Sequence, residues 1–110
     1  MAEVSKETEQ KIAQLQLYEQ SLQNILMQKQ QFQTQSLEIK SALTELESTK
    51  EAYKIVGNIM VASKKEDLKK ELESKKETIQ LRITTMEKQE NQIREKAKKL
   101  QEEVSKNISQ

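Results

Sequence analysis

The side chains able to do chemistry in this chain are carboxylates, ammonium groups, hydroxyls and amides. Histidine, cysteine and tryptophan are absent, and glycine occurs once. That removes the usual general base, the thiol nucleophile, thiolate metal sites and the glycine-rich loops that cradle phosphate. The carboxylates that remain follow helical spacing, and none is placed in a pocket beside another, so their expected role is solvation of helix surfaces. Catalysis is not expected, and no metal or organic cofactor is implied. The chemistry left to the chain is the burial of apolar surface against other polypeptides.

That surface is densest in EAYKIVGNIMVAS, residues 51–63. Tyr53, Ile55 and Val56 precede the single glycine, and Ile59, Met60 and Val61 follow Asn58. Gly57-Asn58 suits a two-residue type II′ hairpin turn, because glycine takes positive φ without a Cβ penalty and asparagine tolerates a turn. The turn predicts Val56 opposite Ile59, Ile55 opposite Met60, Lys54 opposite Val61 and Tyr53 opposite Ala62. One face is then Tyr53, Ile55, Met60 and Ala62; the other carries Val56, Ile59 and Val61 around Lys54. A two-stranded ribbon that is apolar on both faces is marginal alone, and its open edges invite pairing. The stable solution is several chains joining their hairpins into a closed barrel. Oligomerisation is expected.

Long helices must position this hairpin. From Leu15 to Tyr53 a seam of alternating three- and four-residue steps runs Leu15, Tyr18, Leu22, Ile25, Lys29, Phe32, Ser36, Ile39, Leu43, Leu46, Lys50, Tyr53. Nine of these twelve positions are apolar, a pattern of coiled coil rather than of an ordinary surface helix. Glutamines between Gln10 and Gln35 sit mostly off the seam and are good helix formers. Ser63 and Glu66 predict a capping box that opens the second helix. Leu72, Ile79, Met86, Ile93 and Leu100 then recur every seven residues. Glu66–Lys70, Glu71–Lys75, Glu90–Arg94 and Glu95–Lys99 have the favourable acid-before-base order, each contributing ~0.3 kcal/mol on an exposed face.

A tight hairpin makes the helices antiparallel, and its register carries outward. Leu43 meets Leu72, Phe32 meets Ile83, Leu22 meets Ile93 and Leu15 meets Leu100. The polar seam residues are each expected against an apolar one: Lys29 against Met86, Ser36 against Ile79, Ile25 against Glu90, Ile39 against Lys76 and Leu46 against Lys69. Beyond Leu15 and Leu100 the seam fails, with Lys11 opposite Val104 and Thr8 opposite Asn107. Apolar residues nevertheless persist there. Val4, Ile12, Leu15, Leu17, Leu100, Val104 and Ile108 form a candidate contact surface at a mobile tip, the alternative being incidental apolar residues on fraying ends. At ~1.5 Å per residue, helices of about 45 residues reach nearly 70 Å.

Composition supports this architecture. Hydrophobic residues make up 34% and charged residues 34%, proline is absent, and such a chain lacks the makings of a globular core. Disorder competes for so polar a sequence, but the regular apolar spacing argues against it. The net charge of +1 gives no global field for nucleic acid or a membrane surface. No leader and no apolar run of ~20 residues is present, so a soluble, cytoplasmic protein without membrane partners is expected.

A long helix, then Ala52-Tyr53-Lys54-Ile55-Val56-Gly57-Asn58-Ile59-Met60-Val61, then a second long helix closely resembles the β-class subunit of archaeal prefoldin. The Tyr-Lys-x-Val-Gly-x-x-x-Val core at 53–61 is its specific part, and one hairpin rather than two marks the β class. The resemblance covers the chain as a single domain: an N-terminal helix at 1–50, the hairpin at 51–63 and a C-terminal helix at 64–110. It implies a mainly α fold, a long antiparallel two-helix coiled coil whose central β-hairpin joins an oligomeric β-barrel. It implies a heterohexamer of two α-class and four β-class subunits. It also implies an ATP-independent holdase that binds unfolded proteins at the coiled-coil tips and passes them to a group II chaperonin. Tyr53, Ile55, Val56, Gly57, Asn58, Ile59, Met60 and Val61 would be the assembly element.

Two other functions fit parts of the sequence. A structural coiled-coil tether predicts no effect on the aggregation of unfolded proteins. Nucleic-acid binding through the more basic second helix predicts steeply salt-dependent affinity, which the near-zero net charge disfavours.

Overall fold

A computed structural model describes residues 5–109. The chain runs α1 (Lys6–Ser48), β1 (Ala52–Val56), β2 (Ile59–Ser63) and α2 (Lys65–Ser109), two long helices joined by a two-stranded antiparallel hairpin. With no proline and no glycine inside them, the helices extend for 43 and 45 residues.

Each helix end has a local cause. Ser5 caps α1: its Oγ accepts from the Thr8 amide at 3.2 Å, satisfying one of the donors that a helix start leaves open. Glu7 and Glu9 in the first turn suit the positive end of the helix dipole. At the other end, the Ser48 and Thr49 hydroxyls donate to the Glu45 carbonyl at 3.1 and 2.9 Å. These side chains compete with continued helix, and α1 has no basic residue in its last turn. Lys65 supplies one from the other helix, with Nζ donating to the Glu47 carbonyl at 2.9 Å. The expected seam therefore stops before Lys50 and Tyr53: the first lies in the connection and the second in β1.

The start of α2 also differs from expectation. Ser63 ends β2, paired with Ala52, and the helix opens one residue later, with Leu68 N donating to Lys64 O at 3.0 Å. Lys64 thus takes the cap position. Ser63 and Glu66 no longer stand at cap and third-residue spacing, so the capping box gives way to the ladder.

The described residues pack as two units, one made from residues 5–29 and 85–109, the other from residues 30–84. In the first, Thr8 meets Asn107, Lys11 meets Glu103 and Lys29 meets Glu90, so the helices run antiparallel. Thr8 and Val104 are its buried residues among those described. The seam does not fail at Thr8; it continues with polar groups. Thr8 is the most buried of the described residues, its hydroxyl bonded to Ser5 Oγ at 2.9 Å and receiving Asn107 Nδ2 at 3.5 Å.

In the second unit the buried residues are Ser36, Leu46, Ile79 and Ile83. Arg82 lies over the Phe32 ring, 5.7 Å from its centroid, within cation–π range. No described side chain is fully buried. The core is a narrow seam in both units.

Candidate functional site

The hairpin has the predicted register: Tyr53 opposite Ala62, Lys54 opposite Val61, Ile55 opposite Met60 and Val56 opposite Ile59. Gly57 has φ of +63°, and Asn58 does not share the left-handed region. That combination fits a type II′ turn and excludes type I′, which needs positive φ at both central residues. A Cβ built on Gly57 would meet nothing within 4 Å, so the glycine answers to backbone conformation alone.

Both faces of this ribbon are open. Tyr53, Ile55, Val56, Ile59, Met60 and Val61 are each 45–69% exposed. The sheet has two strands, leaving one edge of each unpaired. Isolated apolar residues on a surface are ordinary, but six in ten strand positions form a contiguous exposed patch of the kind found where proteins meet other molecules. Free strand edges add main-chain donors and acceptors to that patch. The eight residues expected to drive assembly, Gly57 and Asn58 included, therefore occupy one continuous element.

The two faces differ in what holds them. Lys54, on the face of Val56, Ile59 and Val61, reaches α2: its Nζ lies 2.8 Å from Glu71 Oε1 and donates to Oε2 at 3.0 Å. That hydrogen bond holds the Glu71 carboxyl below its ordinary pKa, desolvation opposes the shift, and the charges of Lys54 and Lys75 reinforce it. Glu71 was expected to pair with Lys75; the hairpin lysine takes it instead. Of the expected intrahelical pairs, Glu90–Arg94 closes, at 3.6 Å. On the opposite face the Tyr53 hydroxyl donates to Glu51 at 2.9 Å.

The second candidate set lies in the unit formed by residues 5–29 and 85–109, except Val4, which is outside the described residues. Leu17 and Ile108 are more than half exposed. Leu15 and Leu100 are half-buried on the seam, and Ile12 is half-buried beside it. Val104 differs from the rest of the set: it is buried at 8% exposure, in the neighbourhood where Lys11 and Glu103 close their ion pair, and presents little surface in this chain.

Two further exposed apolar residues in this unit, Leu26 and Met27, escaped the sequence reading. They sit off the seam and away from the termini, the two places where apolar residues stood out. A different signal marks them: from Ile12 to Gln28 the one charged residue is Glu19. Between Ile12 and Gln28 the exposed surface of α1 is amide-rich and nearly uncharged, with Leu17, Leu26 and Met27 distributed around the helix. The α2 segment of the same unit is densely charged.

Among the described residues there is no cluster of three metal-ligating side chains, and no helix is long and apolar enough to cross a membrane.

Known proteins share this arrangement. The profile of a family described as Prefoldin subunit matches residues 9–110. A protein of Archaeoglobus fulgidus named Prefoldin subunit beta is 38% identical over 112 residues, covering 99% of this chain and 97% of its own. Its namesake from Pyrococcus abyssi is 35% identical, covering 94% and 92%. A crystal structure of the prefoldin beta subunit from Thermococcus strain KS-1 superposes with a TM-score of 0.89 at 34% identity, over 96% of each chain.

Proposed function

Because this chain belongs to the prefoldin subunit family, we propose that it is a β-class subunit of an ATP-independent chaperone. The observation that carries this reading is the ribbon itself, apolar on both faces and exposed on both. Joining it to the hairpins of an α-class subunit and further β-class copies covers the patch and pairs the free edges. Two α and four β subunits is the stoichiometry the family implies. The assembled platform then presents several helix pairs, whose terminal regions hold unfolded proteins for transfer to a group II chaperonin in the cytoplasm.

Client contact falls to Leu17 and Ile108, with Leu26 and Met27 extending the same unit's apolar surface. Half-buried Ile12, Leu15 and Leu100 contribute where the helix pair opens. Each contact is small, and several helix pairs acting together raise the effective concentration of the next contact. Capture is then firm while each contact stays quick to release, with no cofactor or nucleotide required.

Light scattering of a chemically denatured test protein, diluted into buffer, decides between this reading and a passive tether. Suppression of aggregation by the complex of this chain with an α-class subunit is the expected result. Unchanged scattering with that complex overturns the chaperone reading.

A further inference from the structure

Lys54 is the one charged side chain among the ten strand residues, and it stands mid-strand opposite Val61. Covering this face with another apolar strand would strip water from an ammonium group, which is costly unless the charge is paired. No acid within the strands can serve, and the adjacent Glu51 carboxylate accepts from the Tyr53 hydroxyl. The counter-charge comes from α2, where both Glu71 oxygens lie within 3.0 Å of Lys54 Nζ.

In the lone chain these side chains are 42% and 37% exposed, a setting in which ion pairs contribute little to stability. The pair matters when the face is covered. We propose that Glu71 is a built-in counter-ion for Lys54, which allows this face of the hairpin to be buried against apolar strands of sister subunits without an acid from them. The inference rests on the assembly reading above and adds to it a residue outside the hairpin that assembly requires. Because the neutralising group is carried in the same chain, the covering strand is selected for apolar shape rather than for charge.

The test measures assembly of the full chain with the α-class subunit by analytical ultracentrifugation, with helicity followed by circular dichroism. Glu71→Gln leaves Lys54 unpaired and is expected to raise the concentration needed for half-assembly at least about tenfold, with helicity unchanged. Lys54→Met added to Glu71→Gln removes the orphaned charge and is expected to return assembly to within about threefold of the parent chain. If Glu71→Gln assembles like the parent, or if the double variant does no better than Glu71→Gln, the inference is overturned while the assembly reading stands. A parent chain that stays monomeric with the α-class subunit overturns both.

Discussion

Lys29 Nζ lies 3.4 Å from Glu90 Oε2 inside the seam between α1 and α2, with Arg94 Nε 3.6 Å from the other carboxylate oxygen. The two side chains are only 16% and 14% exposed. The sequence placed each against an apolar residue, Lys29 facing Met86 and Ile25 facing Glu90. Both side chains are long enough to reach the next turn and find each other instead.

Breaking this pair from one side should destabilise the helix pair. Glu90→Gln leaves the Lys29 ammonium largely buried without a counter-charge, a change expected to cost about 2 kcal/mol. Replacing both, as Lys29→Met with Glu90→Leu, should be neutral or stabilising, because the desolvation of two charges disappears with them. Thermal unfolding followed at 222 nm separates the two outcomes. A double variant no more stable than Glu90→Gln would show that the seam needs the charges themselves. A polar pair inside an apolar seam also fixes register, so the double variant is the one in which to look for slipped helix pairing.

The hairpin should fail in a different way. Val56→Lys or Ile59→Lys puts a second ammonium on a face whose one lysine already has its carboxylate. The expected result is dissociation of the oligomer with helicity largely intact, read as a drop in mass by light scattering after size exclusion. Unchanged mass would mean that this face stays open in the assembly.

Gly57 supplies a backbone test free of packing effects. At φ of +63° with nothing near its missing Cβ, Gly57→Ala introduces no clash, only the left-handed penalty of about 1 kcal/mol. Gly57→Asn should cost less, since asparagine tolerates that region. Hydrogen exchange of the β1–β2 amides reports the difference locally. Equal protection in both variants and the parent would refute the turn assignment.

The elements most legible in the sequence were those fixed by short-range rules. Gly57-Asn58 set the turn, and one turn set every strand pair, because side chains alternate with period two. Heptad spacing gave the antiparallel helices in the same way. Several of the misses occur where two local rules competed. Ser63 could have capped a helix or extended a strand, and the ladder won. The Ser48 and Thr49 hydroxyls end α1 by a contact that hydropathy does not see. Thr8 looked like the failure of an apolar seam, but Ser5 and Asn107 satisfy its hydroxyl, so a polar residue could be buried there. The exposed Leu26 and Met27 were invisible to a search for periodic apolar residues. They stand out through the charges missing around them.

Acid should break the Lys54–Glu71 pair. The Glu71 pKa is lowered below its ordinary 4.5 by the Lys54 hydrogen bond. The contribution of the pair is therefore fully present above 4.5 and is lost as pH falls through the lowered folded value. The Glu71 carboxyl carbon, followed by NMR, should titrate below 4.5 in the parent chain and move back up in Lys54→Met. The same midpoint in both would show that the lysine does not set it.

Client contact and helix packing can be told apart within a single unit. Leu17 and Ile108 are exposed, so Leu17→Ser with Ile108→Ser should leave the melting temperature nearly unchanged while weakening the suppression of aggregation. Val104 is buried between the helices, so Val104→Ser should do the reverse. It removes apolar packing and buries a hydroxyl, with an expected loss of about 1–2 kcal/mol. At temperatures where its helices remain paired, it should protect a denatured test protein as well as the parent does. Aggregation assays run below the melting point of each variant, with unfolding curves measured on the same samples, provide both readouts. If the Leu17 and Ile108 double variant protects as well as the parent, client contact is made elsewhere. Leu26→Ser with Met27→Ser then becomes the deciding variant, because those two are the other large apolar residues exposed along the weakly charged stretch of α1 in that unit.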